Sequence, residues 1–140
     1  MKAREISFGE IKTGDTASFE KTVTADDIIA FADISGDHNP LHIDEQYALG
    51  TEFGGVIAHG MFIGALASRL IGMELPGQKS LLLKESLEFK KAVRIGDTLL
   101  LAGTVVFKSE TTQIVEMTIR VHNQLKELVA SGDIHVKVLK

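Results

Sequence analysis

A carboxylate and an imidazole stand five residues apart in Ser35-Gly36-Asp37-His38-Asn39-Pro40-Leu41-His42, separated by a proline that fixes the backbone between them. This pairing suits a reaction in which water is held, relieved of a proton and added to an electrophile. The carboxylate accepts hydrogen from the water, and imidazole, the side chain that titrates near neutrality, shares or relays the proton. Each residue also has a plainer reading. Asp37 after a glycine can close a turn, and His42 can be a half-buried histidine satisfied by backbone. Asn39 fits the turn before Pro40 better than it fits substrate binding, and His59 can either orient a loop or touch substrate. His38, His42 and His59 match no zinc spacing, and Pro40 breaks any helical presentation, so no metal is expected.

The surrounding chain must place these groups. Thr24-Ala25-Asp26-Asp27 reads as a helix start, with Thr24 capping free amides and two aspartates at the positive end of the helix dipole. Ile28, Phe31 and Ala32 then share one face, Ser35-Gly36 ends the helix, and residues 37–42 are expected to be irregular. Residues 59–72, His-Gly-Met-Phe-Ile-Gly-Ala-Leu-Ala-Ser-Arg-Leu-Ile-Gly, have helical length and almost no polar face, which predicts burial on nearly every side. Leu75-Pro76-Gly77 should stop this helix soon after Gly72, and Arg69 should snorkel to the surface or pair with a carboxylate.

The second half is rich in β-formers, with strands expected at residues 80–90, 98–108, 111–122 and 128–138, and an earlier one within 17–23. In the third of these, Val115, Met117, Ile119 and Val121 alternate with mostly polar residues, the signature of a half-buried antiparallel strand. An antiparallel sheet wrapped around one apolar helix reconciles the halves, since each supplies the cover the other lacks. This is an α+β hot-dog fold, expected as a single domain over residues 1–140.

Composition narrows the function classes. A formal charge of −4 and a pI near 5.7 leave no broad basic field for nucleic acid or an anionic membrane. With no cysteine, thiolate nucleophiles, thiolate metal sites and disulfides are excluded. No stretch approaches the ~20 apolar residues of a membrane span, and the N-terminus carries no apolar signal core, so a cytoplasmic protein is expected. Lys84, Lys90, Lys91 and Arg94 read first as a solvated strand face.

Residues 35–44 followed by Ile57-Ala58-His59-Gly60-Met61 resemble the MaoC-like, or hydratase 2, family, and Val93-Arg94-Ile95-Gly96-Asp97 is a weaker match common to hot-dog enzymes. The family pattern Asp-x-Asn-Pro-x-His falls on Asp37, Asn39, Pro40 and His42 without a gap. The resemblance implies (R)-specific hydration of a trans-2-enoyl-CoA to the (R)-3-hydroxyacyl thioester, with Asp37 and His42 as the dyad. It also implies that the Gly60 amide binds the thioester oxygen at a helix start, that Ser68 supports the site, and that the chain forms a homodimer or dimer of dimers. No cofactor is implied beyond the coenzyme A of the substrate. An acyl-carrier-protein dehydratase of the same family would use the same dyad. Hot-dog thioesterases and the dehydratases of fatty-acid synthesis commonly carry an acid on the central helix, and residues 59–72 contain none. A non-catalytic thioester-binding subunit would be expected to have lost the Asp or the His.

Overall fold

A computed structural model describes all 140 residues. After a short 3₁₀ turn at Phe8–Glu10, the chain forms strand β1 (Thr16–Thr22) and helix α1 (Ala25–Ser35). Two short helices follow, α2 (Pro40–Ile43) and α3 (Glu45–Leu49), and then the central helix α4 (Gly60–Arg69), which runs on as a π-helical turn over Leu70–Glu74. Strands β2 (Ser80–Phe89), β3 (Thr98–Ser109), β4 (Ile114–His122) and β5 (Leu128–Val138) complete an antiparallel sheet in the order β1-β3-β4-β5-β2.

The start of α1 follows from its sequence. Thr24 Oγ1 accepts from the Asp27 amide at 3.1 Å while Asp27 Oδ2 accepts from the Thr24 amide at 2.9 Å, a reciprocal cap. Gly36 ends the helix at φ +77°, where a side chain would be strained, and its amide donates to Ala32 O at 2.9 Å.

Helix α4 lies on the sheet through Phe62, Ile63, Leu66 and Ala67, and Leu70 and Ile71 continue the buried stripe. The sheet answers with Leu99, Leu101 and Val105 of β3, Val115, Met117, Ile119 and Val121 of β4, and Ile134, Val136 and Val138 of β5. The approach is close at Gly103 of β3, where an added Cβ would come within 2.8 Å of Leu70 Cδ2. This is the hot-dog arrangement, a sheet wrapped on an apolar helix.

Four details depart from the sequence reading. Residues 37–42 are not wholly irregular, because Asn39 Oδ1 accepts from the Leu41 amide at 3.0 Å and Pro40 fits the first helical position, so His42 rides on a short helical turn. Helix α4 is not enclosed on every side: Met61, 58% exposed, Ala65 and Ser68 form an open stripe beside the sheet edge. Residues 111–113 turn instead of extending, with Gln113 at φ +59°, and the strand begins at Ile114. The Arg69 guanidinium pairs with no acid; the side chain stays partly exposed and sits 4.1 Å from the centre of the Phe19 ring.

Candidate active site

Asp37 lies in the bend between α1 and α2, where its amide donates to Ser35 Oγ at 3.1 Å and its Oδ1 accepts from the Asn39 amide at 3.2 Å. Those contacts aim an exposed carboxylate at the space beside α2. His42, near the end of α2, bonds through Nδ1 to the Ile57 carbonyl at 2.7 Å. A carbonyl oxygen can only accept, so Nδ1 carries the hydrogen, and in the neutral ring Nε2 is left as an acceptor. The Ile57 carbonyl is itself held in place, since the Ile57 amide reaches Leu41 O at 3.4 Å and the Ala58 amide donates to Val93 O at 2.7 Å.

His59 immediately precedes α4 and is 2% exposed. Its Nε2 bonds to the main-chain oxygen of Asp37 at 2.9 Å, and its ring stacks on that of His42, centroids 3.9 Å apart and planes 28° from parallel. Polar atoms of Asp37, His42 and His59 all fall within 4.8 Å of one another. These residue types also hold cations. Here, however, the two imidazoles lie in nearly parallel planes, so their in-plane lone pairs run side by side instead of converging, a poor fit to a metal. His38, at the variable position of the motif, turns outward to Asp33 at 3.1 Å, and that bond raises its pKa.

A cleft of about 330 Å³ opens beside His42, lined by Phe53, Ile57, Ala58, Gly60, Ile63, Phe89, Ala92 and Val93, with Lys90 and Lys91 among its walls. Gly60 is the first residue of α4, so its N–H has no partner within the helix and lies at the positive end of the helix dipole. The site thus brings one carboxylate close to one imidazole acceptor, which shares a mostly apolar wall with one free amide. Such a set can orient water, move its proton and stabilise an oxygen that gains negative charge.

Of the other residues singled out in the sequence, Asn39 caps the α2 turn, as its turn chemistry suggests. Ser68 sits on the open stripe of α4, eight residues or roughly 12 Å along the helix from Gly60, and does not line the cleft. Lys90 pairs with Glu88 at 2.6 Å, and Lys91 with Glu127, whose pKa that contact lowers. Sequence reasoning missed Glu85. This β2 residue meets α4 at Gly64, where an added Cβ would stand 3.0 Å from Glu85 Oε2, and its Oε1 is enclosed without a partner. Burial pushes the Glu85 carboxyl above the usual carboxylate range. A contact between a strand and a helix some twenty residues away leaves no local signature.

The model of the MaoC like domain matches residues 8–126. The chain belongs to the MaoC-like family. Among its relatives, an (R)-specific enoyl-CoA hydratase of Rhodospirillum rubrum is 45% identical over 70% of this chain and 68% of that protein. An (R)-specific enoyl-CoA hydratase of Aeromonas caviae is 36% identical over 95% of this chain and 99% of its own length. Among solved structures, the unliganded R-hydratase of Pseudomonas aeruginosa superposes with a TM-score of 0.94 at 35% identity, covering 99% of this chain and 88% of that one. MaoC-like membership therefore rests on nearly the whole length of the chain, including the segments that carry Asp37, His42 and Gly60.

Proposed function

We propose that this MaoC-like protein is an (R)-specific enoyl-CoA hydratase, a hydro-lyase that adds water reversibly to a trans-2-enoyl-CoA and yields the (R)-3-hydroxyacyl-CoA. The observation that carries the reading is the gathering of the Asp37 carboxylate and the His42 ring beside a cleft that also presents the Gly60 amide. The (R) outcome and the coenzyme A thioester are supported by the relatives that share this segment.

The proposed chemistry follows from the tautomer. With Nδ1–H committed to Ile57 O, both the Asp37 carboxylate and His42 Nε2 accept hydrogen bonds. A water between them donates one hydrogen to each, which leaves an oxygen lone pair facing C3 of the substrate. As the O–C3 bond forms, one water proton passes to the dyad and the π electrons move onto the thioester oxygen, where the Gly60 N–H receives the charge. The enolate then collapses as C2 takes a proton, so the elements of one water are added. This route needs no cofactor beyond the coenzyme A of the substrate.

Crotonyl-CoA and a series of longer esters should lose their enoyl absorbance with the enzyme, and the product should resolve as the (R)-alcohol on a chiral column. An (S) product, or no turnover with any chain length, would sink the assignment. One substrate carried on acyl carrier protein belongs in the same series, because two relatives named as acyl-carrier-protein dehydratases are 31% and 30% identical. A strong preference for that carrier would make the dehydratase reading the better one.

The reading includes a cytoplasmic location, one functional unit over residues 1–140 and a homodimer. No helix is long and apolar enough to cross a membrane. The dimer is supported by the sheet edge, where Leu81, Leu82 and Leu83 of β2 are exposed. An edge strand with that apolar content calls for a partner, and a second copy paired along β2 supplies one. Sedimentation at micromolar concentration should give twice the mass of the 15.2 kDa chain or a multiple of it, and a lone monomer would refute this point.

A further inference from the structure

We infer that His59 is a positioning residue which ties the three parts of the reaction site together through one ring. The inference rests on the hydratase reading and extends it to a residue outside the lining of the cleft.

Three connections meet at His59. Its Nε2 donates to the Asp37 main-chain oxygen at 2.9 Å, fastening the bend that carries the carboxylate. Its ring face supports the His42 ring at 3.9 Å, fixing the plane in which Nε2 of His42 points. Its own carbonyl begins the peptide unit whose N–H belongs to Gly60, so its backbone sets the direction of the oxyanion donor.

The tautomer of His59 is set like that of His42 and is its mirror image. Asp37 O can only accept, so the hydrogen sits on Nε2 and Nδ1 carries a bare lone pair, which is buried and has no partner. A residue retained for packing alone would do better as Phe or Leu, which would fill the space between Phe31 and His42 without an orphaned nitrogen. The use that remains for an imidazole here is the Nε2–H bond, together with the ring face that supports His42.

The test is a matched pair of variants. In His59→Gln the amide nitrogen takes the place of Nε2 and keeps the bond to Asp37 O. In His59→Asn the amide takes the place of Nδ1 and does not reach. His59→Gln should keep kcat within about fivefold of wild type, whereas His59→Asn should lose about 10²-fold in kcat with KM little changed, the scale expected when catalytic groups are misplaced by about 1 Å. Equal rates in the two variants, whether both high or both low, would overturn the inference. Should His59→Asn fail to fold by circular dichroism, His59→Phe, which keeps a ring face and loses the donor, takes its place with the same expected loss.

Nitrogen-15 NMR of the intact protein supplies a readout separate from turnover. His59 should show a protonated Nε2 and a bare Nδ1, and His42 the reverse. A proton on Nδ1 of His59 would overturn the inference even with a fully active wild type, whereas an inactive wild type with the expected tautomers would sink the hydratase reading instead.

Discussion

Replacing Gly60 with alanine separates stability from catalysis. The added Cβ would stand 3.1 Å from Cε2 and Cζ of Phe89 and 3.4 Å from Cδ2, where carbon atoms normally rest about 3.5–4.0 Å apart. Relief requires a shift of roughly 0.4 Å at the tighter contacts, estimated from that normal spacing. Phe89 is 48% exposed at the end of β2, so its ring can yield without disturbing the core. Gly60 has helical backbone, which alanine favours by up to about 1 kcal/mol within a helix and by less at the first position. The melting temperature should therefore hold or rise by at most roughly 4 °C.

Activity should behave differently. The Gly60 N–H survives the change, but a methyl group now stands beside it and the Phe89 ring that must shift lines the same cleft. Deleting an oxyanion donor outright costs about 10²–10³ in kcat. A donor that is crowded and kept should cost about 10–10²-fold in kcat/KM, or roughly 1.4–2.7 kcal/mol of transition-state stabilisation. The assay is the decay of enoyl absorbance with crotonyl-CoA, run beside a thermal melt. Full activity in Gly60→Ala would refute docking of the thioester oxygen at this amide, and a fall in melting temperature that tracks the loss of rate would reduce the effect to packing.

Asp37→Ala and His42→Ala should each lower kcat by at least about 10²-fold while the circular dichroism spectrum stays unchanged, and near-normal rates in both would remove the dyad. Glu85→Gln should raise the melting temperature at neutral pH, because burial raises the pKa of this carboxyl in the folded chain. The folded state then holds a proton that the unfolded chain has released, so the native group's contribution to stability is lost as pH rises from the ordinary carboxylate range through the raised value. The advantage of the variant should accordingly shrink toward about pH 4, and a destabilised Gln variant at neutral pH would reveal a partner for the carboxylate. Thr24→Ala should cost about 1 kcal/mol through loss of the α1 cap, measured by urea unfolding, with turnover at saturating substrate unchanged.

Much of this molecule can be read locally. Thr24 and Gly36 bound α1 because capping depends on neighbouring residues, and the alternation in β4 names its buried face residue by residue. Residues 128–138 form a strand with the expected bounds, its start set by the turn at 123–127, where Asn123 Oδ1 accepts from the Leu125 and Glu127 amides. The short α2 helix escapes notice because four residues are too few for a periodic pattern, although Asn39 and Pro40 are suitable starters. The open stripe on α4 is hidden for a different reason: Met61 and Ala65 have the same apolar composition as the residues on the buried face, so the sequence does not separate the two faces. Asp37 and His42 stand out as a motif, yet their orientation depends on the Ile57 carbonyl fifteen residues from His42, and backbone oxygens leave no mark in a sequence. The enclosed Glu85 carboxyl and the orphaned nitrogen of His59 are consequences of packing between distant segments, which sequence neighbours do not encode.

Both imidazoles at this site are oriented by main-chain oxygens, His42 by that of Ile57 and His59 by that of Asp37. Every amino acid at position 57 brings the same carbonyl, so no point substitution there deletes the acceptor that sets the His42 tautomer. The side chains around the cleft are thereby released to drift. Lineages can reshape the wall at Phe53, Ile57 or Ile63 for longer, shorter or branched acyl groups and inherit the protonation pattern intact, which makes this a site whose selectivity can evolve without rebuilding its chemistry.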